Sequence, residues 1–244
     1  MNIQTKGDHS ASLATDRGNG TVTVSNANLH TSGQGSPLIY STGSISLTHG
    51  AGQADTSEIG VVEGKNSISI DESDLSASGD NGFMLYQSFS GDAEPGLAQL
   101  TASNSTLTTH GTGAFIHVNN TKAQANLTNN TLVMDATKTL INAAASKWGI
   151  AGQNGGHLNL VADYQVMTGD VKVDSISSVD LVMRNHSSLT GTINGAHTGQ
   201  SVILRLTKDS EWNVTGDSYL TELVNDDPTG ANIHTNGHQV IISR

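Results

Sequence analysis

The chain has 244 residues and a formal net charge of -11, with 27 glycines, 4% aromatic residues and no cysteine. The acidic balance and the lack of any block of Lys and Arg exclude a nucleic-acid-binding surface, which needs clustered basic side chains to neutralise phosphate. The lack of cysteine excludes disulfides, thiolate zinc sites and cysteine nucleophiles.

No stretch approaches the roughly 18 consecutive apolar residues of a membrane-spanning helix. The first seven residues, M-N-I-Q-T-K-G, also lack the apolar core of a signal peptide. We therefore expect no membrane insertion by this chain. An acidic, Asn-rich and Asp-rich surface fits an extracellular or cell-surface protein, and the chain would then be a mature or excised fragment without its signal peptide.

Short alternating apolar runs return along the chain at a regular interval. Runs begin at Val22, Ile45 and Ile68, each 23 residues after the one before, and the interval of 23 residues returns between Val179 and Val202. A run of two or three apolar residues is too short to bury its face alone, so neighbouring copies must cover it. The period therefore predicts stacked coils.

Each coil adds further short runs after a polar corner. The corner positions are Asn26, Ser73, Asn104, Asn130, Ser187 and Ser210, and Asn and Ser suit tight bends because they bond to local backbone. Second runs include those at Leu29, Leu75, Leu107, Leu132, Leu189 and Trp212, and third runs are Leu38-Ile-Tyr40, Phe83-Met-Leu-Tyr86, Phe115-Ile-His117 and Leu140-Ile-Asn142.

The pattern predicts an all-β fold, a single-domain right-handed parallel β-helix over residues 1–244, with about 23 residues and three short strands per coil. An antiparallel sandwich is the competing architecture, but a sandwich has no reason to keep this period. Residues 137–147 are the one segment that fits a helical turn or two. The ends of such a solenoid expose strand edges, so an oligomer formed by end stacking is also expected.

The period is interrupted at residues 50–58, 87–96 and 146–156. Insertions in repeat proteins project as loops, often on one face, and that face is often the binding one. We therefore expect the ligand to contact these loops.

The C-terminal third contains sequence segments that are typical of a known family. The segments S-S-L-T-G (187–191), V-I-L-R-L (202–206) and S-E-W-N-V-T-G-D-S (210–218) resemble the last coils of pertactin-like autotransporter passengers and related bacterial surface adhesins. Residues 62–68 and 86–93 also resemble segments of β-helical carbohydrate-binding proteins of anaerobic bacteria. The resemblance implies a right-handed β-helix displayed outside a bacterium for adhesion or glycan contact.

Two of the interrupting loops contain candidate ligand-binding residues. Trp148 lies in a glycine-rich loop beside Gln153 and Asn154, and Tyr86 and Gln87 begin the other loop. Aromatic faces stack on sugar rings while amide side chains bond to hydroxyls, so these residues predict contact with a glycan or a host-surface ligand. The alternative is that Trp148 packs into a gap where the coil widens.

A metal site is also expected in residues 87–96. Ser90, Asp92 and Glu94 form the densest oxygen cluster in an off-period loop, and oxygen ligands are those that calcium prefers. The alternative is an exposed turn in which Asp92 bonds local backbone.

Catalysis is the competing function. A polysaccharide lyase or hydrolase acting on acidic glycans would use Asp92, Glu94 and Arg205. The ordered N-T-D, D-D, H-G and R-x-K segments of β-helix pectinases are not present in that order, since Asp226-Asp227 follows both H-G pairs. The sequence therefore favours a non-catalytic module, and no catalytic residue is assigned.

Overall fold

The computed structural model describes residues 1–17 and 19–243, and these residues form 28 strands and no helix. In chain order the first strands are β1 (Asn2–Thr5), β2 (Leu13–Ala14), β3 (Thr21–Ser25), β4 (Asn28–Thr31), β5 (Ile39–Ser41), β6 (Ser44–Thr48), β7 (Ala51–Ala54), β8 (Gly60–Glu63), β9 (Ser67–Asp71), β10 (Asp74–Ala77), β11 (Phe83–Tyr86), β12 (Leu97–Ser103), β13 (Thr106–Thr109) and β14 (Ile116–Asn119). The remaining strands are β15 (Thr121–Thr128), β16 (Thr131–Met134), β17 (Thr139–Ala143), β18 (Gly156–Asp163), β19 (Val166–Thr168), β20 (Asp170–Val173), β21 (Ser178–Arg184), β22 (Ser188–Gly191), β23 (Ser201–Leu206), β24 (Glu211–Val214), β25 (Ser218–Leu220), β26 (Glu222–Asn225), β27 (Ile233–His234) and β28 (Val240–Ile242).

The strands pair in parallel, and successive strands of each coil belong to three different sheets in turn. Sheet 1 contains nine strands from β3 to β26, sheet 2 contains six from β1 to β16, and sheet 3 contains seven from β2 to β20. In the last coils sheet 4 (β19, β22, β24, β27) follows sheet 2, and sheet 5 pairs β25 with β28. The result is a β-solenoid of about 10 turns, roughly 23 residues apart. The predicted parallel β-helix is confirmed, because a sandwich would need antiparallel pairs.

The core is a set of apolar columns inside the coils. In sheet 1, Leu47, Ile70, Ala102 and Leu127 lie in register on successive strands and are fully buried. Full burial of one such leucine or isoleucine contributes about 1.5–3 kcal/mol before conformational entropy is subtracted. Stacking of the coils thus buries the apolar face that one short run cannot bury alone, as the period predicts.

A polar ladder runs through the corner between sheets 1 and 2. The backbone N–H of Ser105 donates to Oδ1 of Asn130 at 3.1 Å, and that of Asn130 donates to Oε1 of Gln165 at 2.8 Å. The N–H of Gln165 donates in turn to Oγ of Ser187 at 2.9 Å. The buried corner residues are therefore satisfied by the next coil, as buried backbone groups require. Two of the predicted corner residues, Asn26 and Asn104, are instead exposed and have a positive φ.

Two local expectations are wrong. Residues 50–58 do not form a projecting loop, because β7 lies within them and pairs with β4 and β10. Gly52 occupies the inward position of β7, and an added Cβ there would lie only 3.0 Å from Leu29 and Leu38. A glycine therefore stands where other strands carry a buried apolar side chain, and the apolar alternation is missing from the sequence. Residues 137–147 contain β17 rather than a helical turn.

The first coils leave β1 and β3 at the edges of sheets 2 and 1. Exposed strand edges are templates for pairing with another chain. Oligomerisation by end stacking stays a prediction.

Candidate functional site: a cleft on sheet 3

The outer face of sheet 3 carries a row of mostly apolar side chains. Ala14, Tyr40, Val61, Met84 and His117 occupy the same register position on β2, β5, β8, β11 and β14. Five strands spaced about 4.8 Å apart make a row about 19 Å long. Val61 and His117 face outward yet are only 6% and 9% exposed, so the row forms the floor of a depression.

The depression is a cleft of about 820 Å³. One rim is the corner between sheets 2 and 3, where His9, Pro37, Glu58 and Asp80 line the cleft. Tyr86 and residues 146–148 form the end of the cleft that lies away from this rim. Its volume falls within the range of small-ligand sites, and its mixture of an apolar floor with polar rims is typical of such sites.

Two of the irregular loops meet at this end. The ring centroid of Trp148 lies 5.6 Å from that of Tyr86 and 6.0 Å from that of Phe89, with interplanar angles of 50° and 56°. The ammonium nitrogen of Lys147 lies 5.0 Å from the Trp148 ring centroid, within the range of a cation–π contact. Phe89 is 64% exposed. An aromatic cluster thus stands at one end of the cleft, with part of its surface open to solvent.

Asn154 holds the loop that carries Trp148. Its side-chain amide donates to the carbonyl oxygens of Ser146 at 2.9 Å and of Trp148 at 2.6 Å, and the residue is only 3% exposed. Its own carbonyl oxygen accepts from the backbone N–H of Asn120 at 3.1 Å. These bonds tie residues 146–154 to the coil beneath, so Trp148 is supported by polar contacts on both sides of the loop.

Glu63 anchors the other loop. This carboxylate lies on β8 in register with Tyr86 and is 1% exposed. It accepts hydrogen bonds from the hydroxyls of Tyr40 and Tyr86 on one oxygen and from those of Ser88 and Ser90 on the other. Hydrogen bonds to an ionised group are stronger than those between neutral groups. A single buried carboxylate therefore joins the cleft floor to residues 88–90.

The two tyrosine hydroxyls at Glu63 are held in their protonated form. Burial raises the pKa of Tyr40 well above its ordinary value, and the hydrogen bond to Glu63 adds to the effect. Burial raises the pKa of Tyr86 to about 12. Both phenols consequently act as hydrogen-bond donors at neutral pH and not as bases.

His117 closes the floor of the cleft as a neutral imidazole. Burial lowers its pKa, while a hydrogen bond to the carbonyl oxygen of Asn142 opposes the shift. Nδ1 lies 3.1 Å from that oxygen and 3.3 Å from the side-chain amide nitrogen of Asn142, so Asn142 can pair with either neutral tautomer of the ring. The floor therefore offers a neutral imidazole beside Tyr40, Val61 and Met84.

The predicted ligand-binding residues divide into three groups. Trp148 and Tyr86 line the cleft together. Asn154 and Gln87 lie within the loops as supports, since the Gln87 carbonyl accepts from the Asn120 side chain at 2.8 Å. Gln153 is exposed at the loop tip, away from the cleft lining.

The side chains of two of the three predicted calcium ligands already have protein partners. Ser90 donates to Glu63 at 3.2 Å, and Asp92 forms an ion pair with Arg17 at 2.5 Å. Glu94 is exposed, and its carbonyl oxygen accepts from the Lys65 N–H. Across residues 1–17 and 19–243, no three His, Asp or Glu side chains are grouped to hold a metal. A calcium shell completed by hydroxyl and carbonyl oxygens stays a prediction.

The residues of the catalytic alternative do not meet. Arg205 lies on β23, where it pairs with Asp180 at 3.2 Å and with Glu222 at 3.6 Å. Asp92 precedes β12, which is four strands away from β23 in sheet 1, a separation of about 19 Å. The arrangement thus provides no common site for Asp92, Glu94 and Arg205.

Most of the cleft floor and the Glu63 anchor are not evident from the sequence. Tyr40, Met84 and His117 belong to the third runs, whose pattern predicts only strands. In a half-exposed strand the outward positions are usually polar, so large side chains at those positions are a usable signal. Nothing in the sequence spacing indicates that Glu63 is covered by a loop 25 residues later.

Comparisons of the chain with protein-family models, with curated proteins and with solved structures find no match. Among the residues that the structure describes, no helix is long and apolar enough to cross a membrane. The likeness to pertactin-like passengers and to carbohydrate-binding β-helices therefore depends on the quoted residues alone.

Proposed function

We propose that this protein is a non-catalytic carbohydrate-binding module of an extracellular or cell-surface β-helix protein, and that the cleft on sheet 3 holds the glycan. The observation that carries the proposal is the aromatic cluster of Tyr86, Phe89 and Trp148 at the end of an 820 Å³ cleft. Two loops that interrupt the repeat meet there, as expected of a binding face.

The cleft has the features that sugar binding needs. Pyranose rings present apolar C–H faces, which pack on aromatic and aliphatic side chains. Tyr40, Val61 and Met84 supply such a floor, while His117 and Asn81 supply hydrogen-bonding groups for hydroxyls. Because the floor crosses five strands, an extended oligosaccharide would lie across the coils rather than along a single strand.

A glycan array followed by calorimetry on the best oligosaccharide tests the proposal. We expect Trp148→Ala and Phe89→Ala each to raise the Kd about tenfold or more, equivalent to about 1.4 kcal/mol. Tyr164→Ala is the matched control, because Tyr164 is an aromatic residue 59% exposed at the corner of β18, away from the cleft.

Two results would overturn the proposal. The first is that no oligosaccharide binds, or that Trp148→Ala binds as well as the wild type. The second is that the protein releases new reducing or unsaturated ends from a polysaccharide, which would replace binding by catalysis.

A further inference from the structure

Three carboxylates lie in and around the cleft. Two carboxylates, Glu58 and Asp80, lie on one rim. A third, Glu63, lies buried beneath Tyr40 and Tyr86. A low-dielectric cleft with an excess of one sign of charge attracts ligands of the opposite sign, repels ligands of the same sign and leaves neutral ligands unaffected.

The cations of the chain offset these carboxylates only in part. Arg17, Arg184 and Arg205 pair with Asp92, Asp163 and Asp180 at 2.5, 2.8 and 3.2 Å, and none of the three lines the cleft. Within the described part of the chain Lys147 is the one Lys or Arg in the lining, and its ammonium lies against Trp148. Carboxylate and sulfate groups are typically recognised by a free, bidentate arginine.

We propose that the cleft selects uncharged glycans and rejects polyanionic ones, an inference that depends on the proposed function of the cleft. Glu58 and Asp80 are the residues that determine this selectivity. The side chains of the floor make apolar and neutral polar contacts with sugar rings, while the carboxylates above and below the floor disfavour uronate and sulfate groups.

Binding of matched pentasaccharides tests the inference. The probes are uncharged pentamers of glucose, mannose, xylose and N-acetylglucosamine, together with pentagalacturonate and its fully methyl-esterified form. We expect the tightest uncharged pentamer to bind at least about tenfold more tightly than pentagalacturonate at low salt, and the difference to shrink as salt is added. The methyl ester should bind more tightly than the free acid.

The double variant Glu58→Gln/Asp80→Asn should bind pentagalacturonate about tenfold more tightly than the wild type, with little change for the uncharged pentamers. The control is Asp135→Asn/Glu211→Gln, which makes the same change in net charge at exposed positions outside the cleft lining. This control should leave the selectivity unchanged.

The outcomes separate the two proposals. Equal or tighter binding of pentagalacturonate by the wild type would overturn the selectivity while leaving the glycan-binding function intact. An equal gain in the control variant would show that net charge, and not Glu58 and Asp80, sets the preference, and would overturn the inference as well. Absence of binding by every pentamer would overturn both.

Discussion

Oε1 of Glu63 accepts a hydrogen bond from Oγ of Ser90 at 3.2 Å, across 27 residues of chain. The same carboxylate holds Ser88 and the two cleft tyrosines. The loop that presents Phe89 therefore has its main polar anchor on β8.

Glu63→Ala removes the acceptor of all four hydroxyls. We expect amide hydrogen exchange in residues 88–92 to accelerate about tenfold or more, which corresponds to about 1.4 kcal/mol of local stability. Exchange in sheet 1 should be unchanged. Glu58→Ala is the control, since Glu58 lines the same cleft but accepts its hydrogen bond from Ser57 at 2.7 Å. Unchanged protection of residues 88–92 in Glu63→Ala would contradict the anchoring role.

Calcium binding at Ser90, Asp92 and Glu94 has a direct test. Extracellular modules bind calcium with Kd on the order of 10⁻⁴–10⁻³ M, and a ligand at that affinity raises the melting temperature as its concentration exceeds the Kd. If the site forms, millimolar calcium should stabilise the wild type and have no effect on Asp92→Asn. The prediction is wrong if calorimetry detects no saturable heat, or if the variant responds equally.

Gln165 is the central member of the corner ladder. It is fully buried, and its side chain accepts from the N–H of Asn130 and donates to the carbonyl oxygens of Asn130 and Val166, each at 2.8 Å. We expect Gln165→Ala to lower the free energy of unfolding by about 2–5 kcal/mol, because it removes the partner of the backbone N–H and carbonyl oxygen of Asn130 and creates a cavity.

Urea unfolding measures this effect. Gln124→Ala, on the outer face of sheet 1, should change the free energy of unfolding by less than about 0.5 kcal/mol. Similar losses of unfolding free energy in the two variants would mean that the ladder contributes no more to stability than an exposed glutamine does.

The lowered pKa of His117 makes stability depend on pH in one direction. An unfolded histidine has a pKa near 6.5, so below about pH 6.5 the unfolded chain binds a proton that the buried imidazole does not. This contribution is absent above that pH, and stability falls as the pH drops toward the folded pKa, by at most about 1.4 kcal/mol per pH unit.

Unfolding of the wild type and of His117→Gln between pH 7.5 and pH 5 isolates this contribution, because the other nine histidines are common to both chains. We expect the wild type to lose more stability than the variant on acidification. Parallel pH profiles would contradict the assignment of a neutral imidazole.

The repeat made the fold predictable, because inward apolar positions recur at a fixed interval whatever residue fills them. Val22, Ile45 and Ile68 lie in register on β3, β6 and β9, as the spacing of 23 predicts. The prediction failed where a small residue filled an inward position, as Gly52 does in β7.

The site was only partly predictable, for a different physical reason. Trp148 and Tyr86 are conspicuous because aromatic residues are rare in this chain. Glu63 is unremarkable in sequence, and it bonds to Ser88 and Ser90 because the stacking of coils places them side by side. Contacts between loops depend on loop conformation, which the period does not specify.

Neighbouring residues of each sheet 3 strand perform separate tasks. Ile39, fully buried, faces the core, while Tyr40 faces the cleft, and Phe83 and Met84 are divided in the same way. Substitution along the outer row can therefore alter what the protein recognises while the columns inside continue to hold the coils together. The ligand specificity of this architecture can therefore change by substitution of the outward residue on one strand, while the neighbouring inward residue stays the same.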